Sequence, residues 1–332
     1  MRYREIPGTG VILSKIGFGC GGNAGLMIRG SAAEQRKVIA RALELGINYF
    51  DVAPDYGAGR AEQALGDALA VLGARETIIT TKVEIRSSDL PDIAGHIERS
   101  ARESQRRLGR ERIDVLQIHN GPTASPPPMA NGDYHHLWIE HFLRPGGAVE
   151  GLQRLLRDGT VGHVGFVCRG EDVNEVRRLL ETGVFSLINL NFSLINPSAA
   201  ASGPVFHGER DHGGVIDVAK AAGCGVAVFS PLAGGLLSGE ITPNPLSRPR
   251  RGAPSAVERA ERFAVLARSE RSMAQAAYQF VLDHPGVTTA IGGFSSIEQL
   301  EEIAAPGIAC LSAADREQIG EIWRSSSGAV PA

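Results

Sequence analysis

Asp51, Tyr56, Lys82 and His119 are the residues of this 332-residue chain whose chemistry suits a shared proton. A phenol with a pKa near ~10 is a poor acid at neutral pH, but an ammonium in contact with it favours the phenolate and draws that value down. Lys82 is the candidate ammonium. Asp51 would hold Lys82 charged and in place, while His119 would hydrogen-bond a reacting oxygen or orient Tyr56. A phenol tuned in this way gives its proton to an oxygen on which negative charge is developing, as carbonyl reduction by hydride transfer requires. Taken singly, a strand-end Asp is commonly a helix cap and a rim Lys is commonly solvated. The four acquire meaning only if the fold brings them together.

The runs that carry them read as strands. Eight short segments are rich in β-branched residues: "SKIGFGC", "NYFDVAP", "TIITTKV", "IDVLQIH", "VGHVGFVC", "FSLINLNF", "CGVAVFSP" and "VTTAIGGF". Amphipathic stretches alternate with them, as in "AAEQRKVIARALELG", where Val38, Ala42 and Leu45 recur at helical spacing and Gly46 supplies a stop. Strict strand-helix alternation predicts an α/β protein with a parallel sheet, and eight such units predict a (β/α)8 TIM barrel. Asp51 then ends the second strand with Tyr56 in the following loop, Lys82 ends the third, and His119 ends the fourth. Lys82 and His119 interrupt apolar strands and therefore need partners.

The joins are unequal. Helix-to-strand connections are short, whereas 120–147, 194–214 and 232–256 form long loops on the opposite rim, which marks the working face of such a barrel. Residues 1–13, with "PGTG" between two extended runs, read as an N-terminal β-hairpin covering the other end. We expect one domain over 1–332.

Composition narrows the function. The hydrophobic content of 43% supports a large core, and a net charge of −3 lacks the electrostatic footprint of a nucleic-acid or anionic-membrane partner. A small molecule is the expected ligand. Cys20, Cys168, Cys224 and Cys310 are scattered, which fits free thiols in a reducing cytosol. No leader or membrane span is evident, and we expect a cytoplasmic protein. The histidines of "DYHHLWIEH" and "FHGERDH" lack helical His-x-x-x-His pairing with a nearby acid, so no metal is expected.

In order along nearly the whole chain, "INYFDVAPDYGAGRAEQALG", "TTKVE", "LQIHN", "VFSPLAGGLLSG" and "AIGGFSSIEQLEE" resemble the aldo-keto reductase family. That resemblance implies an eight-stranded barrel interconverting carbonyls and alcohols with NADP(H), less often NAD(H). Asp51, Tyr56, Lys82 and His119 match its catalytic tetrad, with Tyr56 as general acid in reduction and general base in oxidation. It also implies that Phe229 stacks under the nicotinamide, that Ser230, Pro231 and Leu232 wrap the pyrophosphate, and that Asn189 stands where a carboxamide-binding glutamine is common. Gly292, Gly293, Phe294, Ser295 and Gln299 would line the adenosine end, with Gly21 and Cys168 also on the cofactor. The chain departs from the family in having Val167 and Cys168 in place of a Ser-Asn pair, no cation from Gly293 to Ser296, and Ile303 where an asparagine is usual.

Beyond these, Trp138 is a candidate for the substrate pocket. Arg248, Arg250 and Arg251 are candidates for a clamp on cofactor phosphates, and Asp55 reads as a solvent-facing turn residue. The expected partner is a small-molecule carbonyl or alcohol. Two other readings are a non-catalytic dinucleotide-binding barrel acting as a regulatory subunit, and a metal-assisted barrel hydrolase.

Overall fold

Each predicted β-branched run forms a strand. A computed structural model describes residues 1–127, 135–169, 172–207, 209–239, 246, 254–305 and 310–326. The chain opens with an antiparallel hairpin of β1 (Tyr3–Glu5) and β2 (Ile12–Ser14). Next come β3 (Ile16–Gly19), β4 (Tyr49–Asp51), β5 (Ile78–Val83) and β6 (Ile113–Ile118). A small parallel pair, β7 (Gly121–Thr123) and β8 (His136–Trp138), lies in the rim loop after β6. β9 (Val161–Val167), β10 (Leu187–Asn191), β11 (Gly225–Phe229) and β12 (Thr289–Gly293) complete the set. β3 to β6 and β9 to β12 close into a parallel barrel in which β12 pairs with β3.

The helices read from sequence are all present: α2 (Ala32–Glu44), α3 (Arg60–Val71), α4 (Ile93–Leu108), α6 (Ala148–Arg157), α7 (Val173–Leu180), α8 (Val215–Ala221), α10 (Met273–Asp283) and α11 (Ile297–Ala304). Local chemistry sets their starts. Ser31 accepts from the Glu34 amide while the Glu34 carboxylate accepts from the Ser31 amide, a reciprocal cap on α2. The structure adds α1 (Leu26–Arg29), α5 (Ile139–Leu143), α9 (Pro254–Arg262) and α12 (Ala313–Ser326), which the sequence reading did not assign as helices.

Alternation along each strand separates two cores. Phe50, Leu116, Ile188, Val226, Val228 and Ala290 join the helices in the outer core. Tyr49, Val115, Leu187, Ala227 and Ile291 point the other way and pack with Ile6 and Leu13 of the hairpin. The hairpin thus plugs the amino-terminal end of the barrel, as expected. One inward position further along, the side chains turn polar: Asp51 on β4, Gln117 on β6 and Asn189 on β10, with Lys82 opposite Gln117 in the β5–β6 register.

The rim loop between β10 and α8 is packed rather than loose. Phe192 through Ala200 are buried. Buried Arg259 of α9 donates to the Ile195 carbonyl at 3.2 Å, pairs with Glu209, and stacks over the Phe206 ring at 4.5 Å. Trp323 of α12 donates to the Leu194 carbonyl at 2.8 Å.

Candidate active site

β4 ends at Asp51, and the chain turns tightly through Tyr56 into α3. The Tyr56 amide donates to the Ala53 carbonyl at 3.1 Å, and Gly57, Ala58 and Gly59 then adopt left-handed backbone in succession, with φ of 70°, 55° and 84°. Glycine accepts that conformation without penalty, whereas Ala58 carries strain of about 1 kcal/mol. α3 is tied back to the barrel behind β5. Buried Glu62 accepts from the Thr81 hydroxyl at 2.6 Å and pairs with Arg107 of α4. The loop holding Tyr56 is therefore fixed at both ends.

The four predicted residues converge at the carboxyl rim. Lys82 Nζ lies 2.6 Å from Asp51 Oδ1, donates to the Val52 carbonyl at 2.8 Å, and sits 5.1 Å from the centroid of the Tyr56 ring. His119 meets the same ring edge-on at 6.0 Å between centroids. Its own amide donates to the Val83 carbonyl at 2.8 Å. Asn120, next in sequence, exchanges two hydrogen bonds with the Ile85 backbone at 2.9 and 3.0 Å. These bonds hold the end of β6 against β5 and set the backbone from which the imidazole projects.

Electrostatics follow from burial. Burial pulls the Lys82 ammonium down, but the Asp51 carboxylate and Tyr56 more than offset this, and its pKa stands above the ordinary lysine value. Lys82 is a persistent cation. For Tyr56, burial pushes the phenol up, Lys82 pulls it back, Asp51 pushes it up again and Arg169 pulls down, with a net rise above the ordinary value. The sequence reading expected Lys82 to win this balance. Desolvation is the larger effect, because the phenol is sunk against the barrel mouth. Burial, then the Lys82 and Arg169 cations, holds His119 well below the usual imidazole value, so it is neutral at pH 7.

Several neighbours escaped the sequence reading. Arg169, two residues beyond β9, acts on both Tyr56 and His119. Glu84 Oε1 lies 3.8 Å from His119 Nδ1, and burial pushes its carboxyl up. Gln117 donates to Asn189 Oδ1 at 2.9 Å, and Asn189 donates to Asp51 Oδ2 at 2.8 Å. The parity of Gln117 with His119, the residue just past β6, was a readable signal. Arg169 carried only its position two residues beyond a strand end.

The residues expected around a cofactor divide. Phe229 is half-buried at the end of β11, and Ser230 and Ala233 beside it adopt left-handed backbone, with φ of 55° and 49°. Pro231 is buried and Leu232 half-buried within this turn. A Cβ added at Gly21 would meet only the Tyr56 ring, at 3.8 Å, and Gly293 is exposed at the end of β12. Gly292 lies behind it, hard against Phe294 and Tyr278. Phe294 itself belongs to the core, 5.5 Å from the Phe18 ring. Ser295 is buried, its amide and hydroxyl both donating to Gln299 Oε1 at 2.9 Å. Cys168 is buried, its amide donating to the Asn189 carbonyl at 2.7 Å. Asn189 faces Asp51.

Trp138 is half-buried on β8, its indole donating to the Ala124 carbonyl at 3.2 Å. Asp55 is exposed and pairs with Arg86 at 3.3 Å. Arg248, Arg250 and Arg251 lie outside the described residues. Among the described residues no group of three His, Cys, Asp or Glu could hold a metal ion, and no helix is long and apolar enough to cross a membrane.

Comparison with known proteins shows what the chain is similar to. The profile of the Aldo/keto reductase family matches residues 15–324. An uncharacterized oxidoreductase of Mycobacterium tuberculosis is 29% identical over 98% of this chain and 94% of its own length. L-galactose dehydrogenase of Arabidopsis thaliana is 25% identical over 92% of this chain and 88% of its own. An aldo-keto reductase structure from Bacillus halodurans superposes with a TM-score of 0.75 at 23% identity, over 98% of each chain.

Proposed function

Because the chain belongs to the aldo/keto reductase family, and so is an oxidoreductase, we propose that it interconverts a small-molecule carbonyl and its alcohol, using NADP(H) or NAD(H), with Tyr56 as the proton donor and acceptor. The observation that carries this reading is the buried Lys82–Asp51 pair, 2.6 Å apart, set beneath a half-buried phenol. A bound nicotinamide dinucleotide would supply or accept the hydride. The open face of Gly21, where an added Cβ would meet only the Tyr56 ring at 3.8 Å, and the left-handed turn from Ser230 support its fit, since they offer room and strained backbone at the strand ends. Phe229 would lie against the ring, and the turn at Ser230, Pro231 and Leu232 against the phosphates.

The protein's own part is proton handling. The raised Tyr56 phenol keeps its proton at neutral pH and gives it to the carbonyl oxygen as negative charge builds there. Lys82 stabilises the phenolate left behind. Neutral His119 donates a hydrogen bond to the same oxygen without bringing a competing charge. In the oxidative direction the phenolate is the base, so oxidation is favoured at alkaline pH and reduction nearer neutrality.

A panel of carbonyls and alcohols with each dinucleotide, followed by dinucleotide absorbance, tests the activity. The Arabidopsis relative is an L-galactose dehydrogenase, which makes sugars the first compounds to try. Tyr56→Phe is expected to lower turnover by about 10²–10⁴-fold while leaving dinucleotide affinity nearly unchanged, because the hydroxyl acts in the transition state. Retention of more than about a tenth of the activity would remove Tyr56 from this role. Dinucleotide binding with no turnover on any substrate would favour a regulatory barrel.

A further inference from the structure

We propose that Asn189 is a positioning residue for proton transfer: buttressed by Gln117, its amide fixes Asp51 and thereby the charge that Tyr56 experiences, rather than holding a cofactor carboxamide. The inference rests on the reading of Tyr56 as proton donor. Asn189 is 1% exposed and Gln117 fully buried. Asn189 Nδ2 donates to Asp51 Oδ2 at 2.8 Å, and Asn189 Oδ1 accepts from Gln117 Nε2 at 2.9 Å. Asp51 is thus held on both oxygens, by Lys82 on one and by Asn189 on the other. The amide is committed inside the barrel at both of its ends.

The backbone makes this chain of bonds possible. β9 runs between β6 and β10, and Gly165 of β9 is in register with both Gln117 and Leu187. A Cβ on Gly165 would come 1.8 Å from the Leu187 carbonyl and 3.1 Å from Gln117 Cγ. The bare strand lets the Gln117 side chain cross to Asn189. An asparagine at position 189 is one methylene shorter than the glutamine common in the family, and here it reaches Asp51.

The charged and titratable groups that face Asp51 and Tyr56 are Cys20 after β3, Tyr49 on β4, Lys82 on β5, His119 after β6 and Arg169 after β9. Lys82 and Arg169 favour the phenolate, whereas Asp51 opposes it. Asn189 contributes no charge, and it disperses the charge of Asp51. Without its hydrogen bond the carboxylate weighs more heavily against the phenolate, and Tyr56 should titrate later.

The test uses Asn189→Leu, which is close to isosteric and cannot hydrogen-bond, and Gln117→Met, which keeps an unbranched side chain of similar length. Tyr56 is followed in each cofactor-free protein by near-ultraviolet tyrosinate absorbance, with the matching Tyr56→Phe protein subtracted. Dinucleotide affinity is measured separately by fluorescence. Asn189→Leu should move the Tyr56 titration up by about half a pH unit or more, lower kcat about tenfold, and leave dinucleotide Kd within about threefold. Gln117→Met should move the titration in the same direction by less, and it reports even if Asn189→Leu does not fold. An unmoved titration overturns the inference, as does a tenfold or greater loss of dinucleotide affinity, which would return Asn189 to the cofactor. If Tyr56→Phe itself leaves turnover intact, it is the proposed function that fails.

Discussion

The two ends of the barrel are built from the same strands and opposite chemistry. At the amino-terminal end Tyr49, Val115, Leu187, Ala227 and Ile291 meet Ile6 and Leu13 in an apolar plug. Two residues further along β4, β6 and β10, the inward positions are Asp51, Gln117 and Asn189, with Lys82 alongside on β5. The plug gains from removing apolar surface from water, so its parts contribute nearly independently. The rim gains only if every charge and amide finds its partner, because an unpartnered ion there costs several kcal/mol. One end is tolerant and the other is a single cooperative unit.

Substitutions that treat the two ends alike test the contrast. Lys82→Met should have the largest effect: it strands the Asp51 carboxylate in the barrel, costs about 3–5 kcal/mol of stability, and either abolishes turnover or moves its pH profile upward. Chemical denaturation and a pH-rate series read both effects, and a normal rate with an unshifted profile would uncouple Lys82 from the phenol. Leu13→Ala removes apolar volume from the buried plug. It should cost about 2–5 kcal/mol, while kcat measured on folded protein stays within about twofold. A large loss of kcat there would mean that the plug and the rim communicate.

Acid should separate the ends as well. His212, buried in the rim loop, is held down to about 4 by burial and then by Arg210. Unfolded, it titrates near ~6.5. Between those values the unfolded chain binds the extra proton, so the stabilisation present above pH ~6.5 is lost as pH falls toward 4, on the order of 1–3 kcal/mol. The melting temperature of the wild type should drop over that window, and that of His212→Gln should drop less. The plug is built of apolar side chains and Tyr49, and its amides should stay protected from hydrogen exchange while those of 194–207 open. Equal slopes in both proteins would remove His212 from the account.

The smallest effect is expected at Ala58. Ala58→Gly relieves left-handed strain but loosens the unfolded chain, for a net gain of 0 to about 1 kcal/mol. A measured loss would show that the Ala58 side chain contributes contacts worth more than its strain.

Much of this was legible because the signals for strand and helix are local. Strand-helix alternation placed Asp51 and Lys82 at the carboxyl ends of neighbouring strands, and their pairing followed. Asn189 lies 138 positions from Asp51, and only closure of the barrel brings them together. Nothing in the segment around it distinguishes a carboxamide ligand from a partner of Asp51. Burial was equally hidden: the sequence puts Lys82 beside Tyr56 but not the desolvation that outweighs it. α12 was missed because Asp315 reads as an ordinary exposed acid. It is buried by Arg271 at 2.9 Å and by Arg268, both more than forty positions earlier. α9 is similar, since Arg259 is buried through Glu209, 50 positions away. Phe294, apolar and one residue beyond β12, fits a ligand wall and a core equally well until Phe18 is seen against it.

The knot around Arg259 bears on how this barrel could be re-engineered. Swapping rim segments between related barrels assumes that each segment is a module closed by its own two ends. Here the segment after β10 has an anchor in α9 and another in α12, through Arg259 and Trp323. A chimera that imports 194–214 alone leaves a buried guanidinium facing a stranger, and one that imports α9 alone leaves Glu209 without its counter-ion. The unit of exchange is discontinuous in sequence, three pieces moved together or none.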